Sequence, residues 1–168
     1  MTTYFKERQK FTQIWIWIII IGTTGLWCYA KYQTYFLKQA FGNIEPTDNI
    51  FHIVDLIMGL MLLLFLTANL KTEIRKDGLY YKFFPIQFRF RHIKWENVKT
   101  MKLRQYSPIG EYLGWGIRFG LSGRAYNVKG NKGLQLVLKN GKRILFGTQQ
   151  SDELQQAIEK LKKEIDIS

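Results

Sequence analysis

Two long apolar runs stand out from the pattern of hydrophobic and polar positions along this chain of 168 residues. The second run, residues 50–70 (IFHIVDLIMGLMLLLFLTANL), contains no Lys or Arg. As a helix that rises about 1.5 Å per residue, it would extend roughly 30 Å, which is the thickness of the hydrocarbon core of a bilayer. The first run covers residues 11–30. The pattern therefore predicts two transmembrane helices at these positions, joined by a loop over residues 31–49.

The first run must also be compared with a cleaved signal peptide, because a basic segment precedes it. Its length, its bulky Trp15, Trp17 and Trp27, and the lack of a small-x-small cleavage pattern after it all disfavour cleavage. A lipoprotein signal is disfavoured too, since Leu26 and Trp27 precede Cys28 at positions where small residues are needed. We therefore predict an uncleaved helix.

After residue 70 the apolar positions recur at every second residue, which is typical of half-buried β-strands. Asn140-Gly141 is a strong signal for a type I′ hairpin turn, and Asp77-Gly78 joins the two earliest candidate strands. We predict a small β domain built on a bent antiparallel sheet of about seven strands. The candidate segments are residues 72–75, 79–84, 88–92, 101–104, 115–119, 124–128, 134–138 and 144–146.

The end of the chain has helical periodicity instead. Ser151 can cap a helix whose first turn carries Asp152 and Glu153, and acidic residues are favourable at the positive end of the helix dipole. We predict a C-terminal helix that closes the sheet. Its apolar positions fall on one face: Leu154, Ala157, Ile158, Leu161 and Ile165.

The distribution of charge predicts how the chain is oriented in a membrane. The net charge is +12, and residues 71–168 contain 20 Lys and Arg against 9 Asp and Glu, a net +11. Residues 1–10 carry three basic residues and one acidic residue, whereas residues 31–49 are neutral. Because cytoplasmic flanks are rich in Lys and Arg, we expect a multi-pass protein of the cell membrane. Residues 1–10 and 71–168 would be cytoplasmic, and residues 31–49 external.

The sequence contains no pattern that indicates catalysis, a cofactor or a metal. The single cysteine excludes an internal disulfide, and with only two histidines there is no Cys/His zinc spacing. Glu96 and Glu111 are the only acids between Asp77 and Asp152, too sparse for a paired-carboxylate catalyst. The glycines of residues 114–120 are spaced G-x-G-x-x-x-G, with no helix pattern after them. That spacing does not fit a nucleotide-binding loop, and it is better explained by glycines that bend a strand.

Three segments carry a resemblance to a known kind of protein: residues 93–98 (IKWENV), 114–118 (GWGIR) and 140–148 (NGKRILFGT). They resemble a family of small bacterial membrane proteins in which two transmembrane helices carry a pleckstrin-homology-like (PH-like) domain. The resemblance covers roughly residues 70–167 and implies a bent sheet whose open end is plugged by the C-terminal helix. That helix lacks the Trp of many PH domains, so aliphatic residues would pack instead. Because the family's members are mostly uncharacterised, the resemblance implies an architecture and little mechanism.

Lys82, Arg89 and Arg91 loosely match the basic pattern with which some PH domains hold phosphoinositide headgroups, so they are the candidate anionic-lipid contact. The other interpretation is a solvated strand face, since a basic chain produces such patterns by chance.

Within the second apolar run, His52 and Asp55 lie one helical turn apart. They suggest either a proton or ion relay, or an interfacial pair near the helix end. Gly22, Gly25 and Gly59 could permit close helix packing within the hairpin or between chains.

Together these features predict a non-enzymatic, membrane-anchored PH-like protein for binding or scaffolding, which presents a basic domain to the cytoplasmic membrane surface. Its expected partners are an anionic lipid surface or a protein segment. The alternative is a small accessory subunit of a membrane enzyme or transporter complex, with the hairpin as the interface. Nucleic-acid binding is not indicated, because no recognition motif accompanies the charge.

Overall fold

A computed structural model of the chain describes residues 2–39, 49–120 and 122–164. The chain divides into two compact units. One unit is Thr12–Thr67, and the other combines Met1–Phe11 with Ala68–Ser168. The residues on both sides of the two apolar runs therefore belong to one unit.

Two helices, α1 (Ile14–Tyr35) and α2 (Ile50–Thr67), make up most of the first unit. At 1.5 Å per residue they are about 33 and 27 Å long. By length and composition both are candidate membrane-spanning helices, as the apolar runs predict. Helix α1 continues beyond the predicted end at residue 30, and residues 40–48 of the predicted loop lie outside the described part of the chain.

The apolar side chains of α2 are almost all exposed. Phe51 is the one buried residue of this helix, and its ring lies 5.3 Å from the rings of both Trp27 and Tyr35 in α1. A helix that is apolar all round and is left uncovered by protein is suited to a lipid environment.

The first sheet of the other unit is antiparallel with the strand order β1-β2-β3-β4. Apolar side chains on one face of this sheet enter the hydrophobic core, as in the row formed by Phe5, Ile74 and Leu79. The strands are β1 (Thr3–Lys10), β2 (Asn69–Arg75), β3 (Gly78–Phe84) and β4 (Arg91–Lys94).

Strand β1 has no counterpart in the sequence prediction, which placed no element before the first apolar run. Its residues do alternate between buried and exposed, but two of its three buried positions are the polar residues Glu7 and Gln9. A strand with polar side chains on both faces shows no hydrophobic period of two.

Strand β4 differs from the predicted strand at residues 88–92. Residues 85–90 form a loop, and pairing with β3 resumes only at Arg91, which lies opposite Tyr81. Pro85 has no N–H with which to continue the ladder. The alternation of Phe88 and Phe90 with Arg89 therefore belongs to a loop.

The second sheet is mixed, with the strand order β5-β8-β9-β7-β6. Strand β7 pairs with β9 in parallel, and the remaining pairs are antiparallel. The described residues thus form two sheets, which corrects the prediction of a single antiparallel sheet of about seven strands. The strands are β5 (Val98–Gln105), β6 (Gly116–Gly120), β7 (Gly123–Asn127), β8 (Lys132–Leu138) and β9 (Arg143–Thr148).

Two further helices belong to this unit: α3 (Pro108–Tyr112), which precedes β6, and the C-terminal α4 (Ser151–Glu164). The predicted C-terminal helix is thereby confirmed. Its buried side chains join one core with residues of both sheets, such as Leu70 and Phe146. Ile165 lies outside the described residues, and the other four predicted apolar positions are buried: Leu154, Ala157, Ile158 and Leu161.

Candidate functional site

Polar side chains of β1 attach the N-terminal strand to the end of the second sheet. The Thr148 hydroxyl and the Gln149 backbone N–H each donate to the buried carboxylate of Glu7, both at 2.8 Å. The Gln9 side chain donates to the Gly147 carbonyl at 2.6 Å. Burial raises the pKa of Glu7, and the bonds from Gln149 and Thr148 offset part of that rise. Residues before α1 are thereby joined to residues just before α4.

The face of the first sheet that is turned away from the core carries a row of three cations. Arg8 lies opposite Lys71, and Lys71 lies opposite Lys82, in register across three neighbouring strands. We call these three residues the cation row. Among the described residues no carboxylate forms an ion pair with any of them. Like charges directly opposite each other destabilise a sheet. The stability of the fold alone would therefore favour a negative charge next to these three cations, and the row has none.

The next row on the same face is compensated. Glu73 forms ion pairs with Arg75 at 2.6 Å and with Lys6 at 3.4 Å. Partial burial by itself would raise the pKa of Glu73, but hydrogen bonds from Arg75 and Lys6 lower it. On this face of the sheet, a counter-charge is therefore present in the row of Glu73 and absent from the cation row.

The structure separates the three predicted lipid contacts. Lys82 belongs to the cation row, whereas Arg91 lies opposite Tyr81, whose side chain faces the core, and hydrogen-bonds that side chain. Arg89 lies in the loop between β3 and β4. Lys82 is therefore accompanied by Arg8 and Lys71, which the sequence analysis did not nominate. Recognition of β1 and of its register would have been needed to find them.

A second basic feature is an open cleft of about 690 Å³ beside the turn between β8 and β9. Arg124, Lys142 and Arg143 line it. The Arg124 guanidinium lies 4.4 Å from the centre of the Phe119 ring and donates to the Tyr126 hydroxyl at 3.2 Å. The charge of the domain is thus spread over more than one surface.

The glycines of residues 114–120 serve backbone geometry. Gly116 to Gly120 form strand β6, which is followed by another strand. A Cβ on Gly120 would lie 1.9 Å from the Glu111 carbonyl oxygen, so only glycine allows this approach. The structure agrees with the strand-bending interpretation.

Glu111 has a structural partner. It forms a bidentate pair with Arg104, at 2.6 and 3.0 Å, that joins α3 to β5. The Arg104 guanidinium lowers the pKa of Glu111 to about 2. Among the described residues there is no group of three His, Cys, Asp or Glu side chains that could hold a metal ion.

In the helical unit Asp55 contacts α1 and not His52. The Lys31 ammonium donates to Asp55 at 2.6 Å, and the Trp27 indole N–H donates to it at 2.9 Å. The predicted interfacial pair is therefore a contact between the two helices. Among the described residues, no atom of the other helix lies within 4 Å of a Cβ placed on Gly22, Gly25 or Gly59, so these glycines do not mediate packing between α1 and α2.

A protein-family model described as a family of unknown function (DUF6141) matches residues 2–162 of the chain. The match includes β1, both apolar helices and the β domain. Comparisons with curated proteins and with solved structures gave no match.

Proposed function

We propose that this chain, which belongs to the DUF6141 family, is a non-catalytic, membrane-anchored binding or scaffolding protein. Two helices hold the β domain at the cytoplasmic membrane surface, and the domain's basic surface contacts the anionic leaflet. The observation that carries this proposal is the cation row, three uncompensated charges on neighbouring strands of which two, β1 and β2, adjoin the apolar helices in the chain.

The pairing of β1 with β2 supports a hairpin topology. These strands flank the two helices in sequence, and they share a ladder from Thr3↔Arg75 to Lys10↔Asn69. Segments that are hydrogen-bonded to each other lie on the same side of a membrane, so the chain between them crosses an even number of times. The basic residues of both flanks favour the cytoplasmic side.

Chain length limits how far the cation row can be from the membrane. Arg8 is six residues before Ile14, and Lys71 is four residues after Thr67. At about 3.6 Å per extended residue, these residues lie at most roughly 22 and 14 Å from the helix ends. The potential of an anionic leaflet decays over about 8–10 Å, and each basic residue near the surface contributes about 1 kcal/mol. The leaflet can thus supply the counter-charge that the row lacks.

The strand order supports a PH-like architecture as part of this proposal. Strands β1 to β4, followed by β5, β8, β9 and α4, make seven strands and a C-terminal helix. In this scheme the β6–β7 hairpin is an insertion, and the membrane hairpin is a second insertion between the first two strands.

The exposed apolar surface of α2 favours a second candidate function, that of an accessory subunit. A cavity of about 370 Å³ also opens between α1 and α2, lined by residues such as Ile20, Trp27 and Met58. In a membrane complex, helices of a larger partner would cover these surfaces. A hairpin that retained a partner in native membranes without the β domain would favour this function.

The test of the main proposal is the stability of the full chain in nanodiscs of anionic or neutral lipid. Because a surface that binds only the folded domain stabilises it, the melting temperature should be higher in anionic lipid. High salt should reduce the difference. The double substitution Lys71→Gln and Lys82→Gln should abolish most of it. The matched control, Lys160→Gln and Lys163→Gln on α4, should retain it; an equal loss in the control would contradict a role for the cation row.

A further inference from the structure

The loop of residues 85–90 between β3 and β4 has its polar and apolar side chains reversed relative to a loop in water. Gln87 is 9% exposed, whereas Ile86, Phe88 and Phe90 are 64%, 71% and 42% exposed. The hydrophobic effect favours the opposite arrangement in an aqueous environment. Exposed apolar groups concentrated in one short loop indicate an interaction surface.

Hydrogen bonds hold the loop in this arrangement. The Gln87 backbone N–H donates to the Phe83 carbonyl at 2.7 Å, and the Phe83 N–H donates to the Gln87 side-chain oxygen at 3.3 Å. The Phe88 ring makes a T-shaped contact with the Phe84 ring, with 5.5 Å between the ring centroids. The loop is thus braced through Gln87 while its apolar side chains remain outside the core.

The register of the first sheet places this loop at the strand end that continues into the helices. Phe84, the last residue of β3, lies opposite Asn69, and Asn69 lies opposite Lys10. Asn69 is two residues after the end of α2, and Lys10 is four residues before the start of α1. The loop therefore begins where the chain enters and leaves the two apolar helices.

The charge around the loop matches an anionic lipid surface. Residues 78–95 contain no Asp or Glu, and Arg89 lies between the two exposed phenylalanines. Apolar side chains interleaved with basic ones are typical of segments that lie in the membrane interface.

We propose that the 85–90 loop inserts Ile86, Phe88 and Phe90 into the interface of the leaflet in which the helices end, with Arg89 at the level of the headgroups. This inference rests on the proposed membrane anchoring and adds to it a specific lipid-contacting element. It gives Arg89 a lipid contact through the loop and not through a strand face.

The experiment places single cysteines in the full chain, in a Cys28→Ser background, and labels them with an environment-sensitive fluorophore. The protein is reconstituted in nanodiscs that contain a lipid-borne quencher. Phe88→Cys probes the loop, and Leu63→Cys probes the exposed apolar surface of α2. The matched control is Ile109→Cys on α3, because Ile109 is also apolar and is 64% exposed.

We expect blue-shifted, quenched emission at positions 88 and 63 and unquenched emission at position 109. If position 63 is quenched but position 88 is as unquenched as the control at position 109, the loop does not insert, and membrane anchoring is left intact. No quenching at 63 would overturn both. Equal quenching at 88 and 109 would also overturn the proposal, since contact would then not be specific to the loop.

A second variant separates insertion from folding. With the label at Ile86→Cys, Phe88→Ser should reduce the quenching severalfold while leaving the melting temperature of the domain unchanged, because Phe88 lies outside the core. Unchanged quenching would contradict a role for Phe88 in insertion.

Discussion

The carboxylate of Glu7 accepts a hydrogen bond of 2.8 Å from the hydroxyl of Thr148, across 141 positions of sequence. Both apolar helices lie between these residues in the chain. The bond shows that the β domain is assembled from the two ends of the sequence, with the helical hairpin inserted into it.

A chain in which Thr12–Thr67 is replaced by Asn-Gly should fold as a soluble domain. Lys10 already pairs with Asn69, so a two-residue type I′ turn between Phe11 and Ala68 continues the ladder. Residues 71–168 alone should not unfold cooperatively, because β2 becomes an unprotected edge and the donors to Glu7 lose their acceptor. Thermal melting checks both chains, and identical melts would contradict the integration of β1.

The substitution Glu7→Gln should change how stability depends on pH. Burial raises the pKa of Glu7 above its ordinary value of 4.5, so above that pH the folded protein retains a proton that the unfolded chain has released. Stability from this group therefore falls as pH rises through the folded-state pKa. In urea unfolding, the free energy of unfolding of Glu7→Gln should increase relative to that of the native chain from about pH 4.5 upward. A difference between the two free energies that does not change with pH would contradict the burial argument.

Glu111→Gln should show the opposite dependence. Arg104 lowers the pKa of Glu111 to about 2, so the stability contributed by this pair is fully present above pH 4.5 and is lost as pH falls toward 2. The native chain should therefore be more stable than Glu111→Gln near neutral pH, and the difference should close on acidification. The same urea unfolding measurement serves both variants. If the difference in unfolding free energy between variant and native chain changed with pH in the same direction for both, the pKa direction given for Glu7 or for Glu111 would be wrong.

Leu161→Ala should destabilise the domain by about 2–5 kcal/mol, the usual range for a fully buried leucine. Leu161 is 0% exposed and packs in the core shared by both sheets and α4. The exposed Gln156→Ala on the same helix should change stability by less than about 0.5 kcal/mol. A small effect of Leu161→Ala would mean that α4 is not part of the core.

Topology can be tested with an impermeant thiol reagent in a Cys28→Ser background. Gln39→Cys, beyond the end of α1, should react from outside intact cells, and Asn131→Cys in the β domain should not. The reversed labelling pattern would place the basic domain outside the cell, and the domain could then not contact the anionic cytoplasmic leaflet.

Local periodicity was sufficient to predict the elements whose buried faces are apolar. The helices α1, α2 and α4 follow their hydrophobic patterns. A turn is present at Asn140-Gly141, with Gly141 at a φ of +81°, but it is not the predicted type I′ turn, because Asn140 lacks the positive φ that this turn requires and the Leu138 N–H donates to the Lys142 carbonyl around a longer loop. Strand β1 was missed because Glu7 and Gln9 occupy its inner face. The parallel pairing of β7 with β9 was missed because no local pattern specifies which distant strands become neighbours.

The candidate site was predictable to a similar degree. Lys82 could be nominated from its own segment, but its neighbours Arg8 and Lys71 come from strands on either side of the helical hairpin. Cross-strand proximity depends on register, and the register of an unrecognised strand is not available from sequence. Arg89 and Arg91 were grouped with Lys82 on a loose basic pattern, whereas Arg89 lies in the 85–90 loop and Arg91 lies opposite Tyr81 in β4.

The position of β1 also has a consequence for biosynthesis. The strand leaves the ribosome before either helix, yet the residues that complete its contacts, Thr148 and Gln149, are translated about 141 positions later. At about 5–20 residues per second, this is an interval of roughly 7–28 s. During that interval the membrane hairpin is made while β1 has no finished partner surface. The β domain therefore cannot close until both helices have been synthesised, and in a nascent chain arrested before Thr148 strand β1 should still be sensitive to protease.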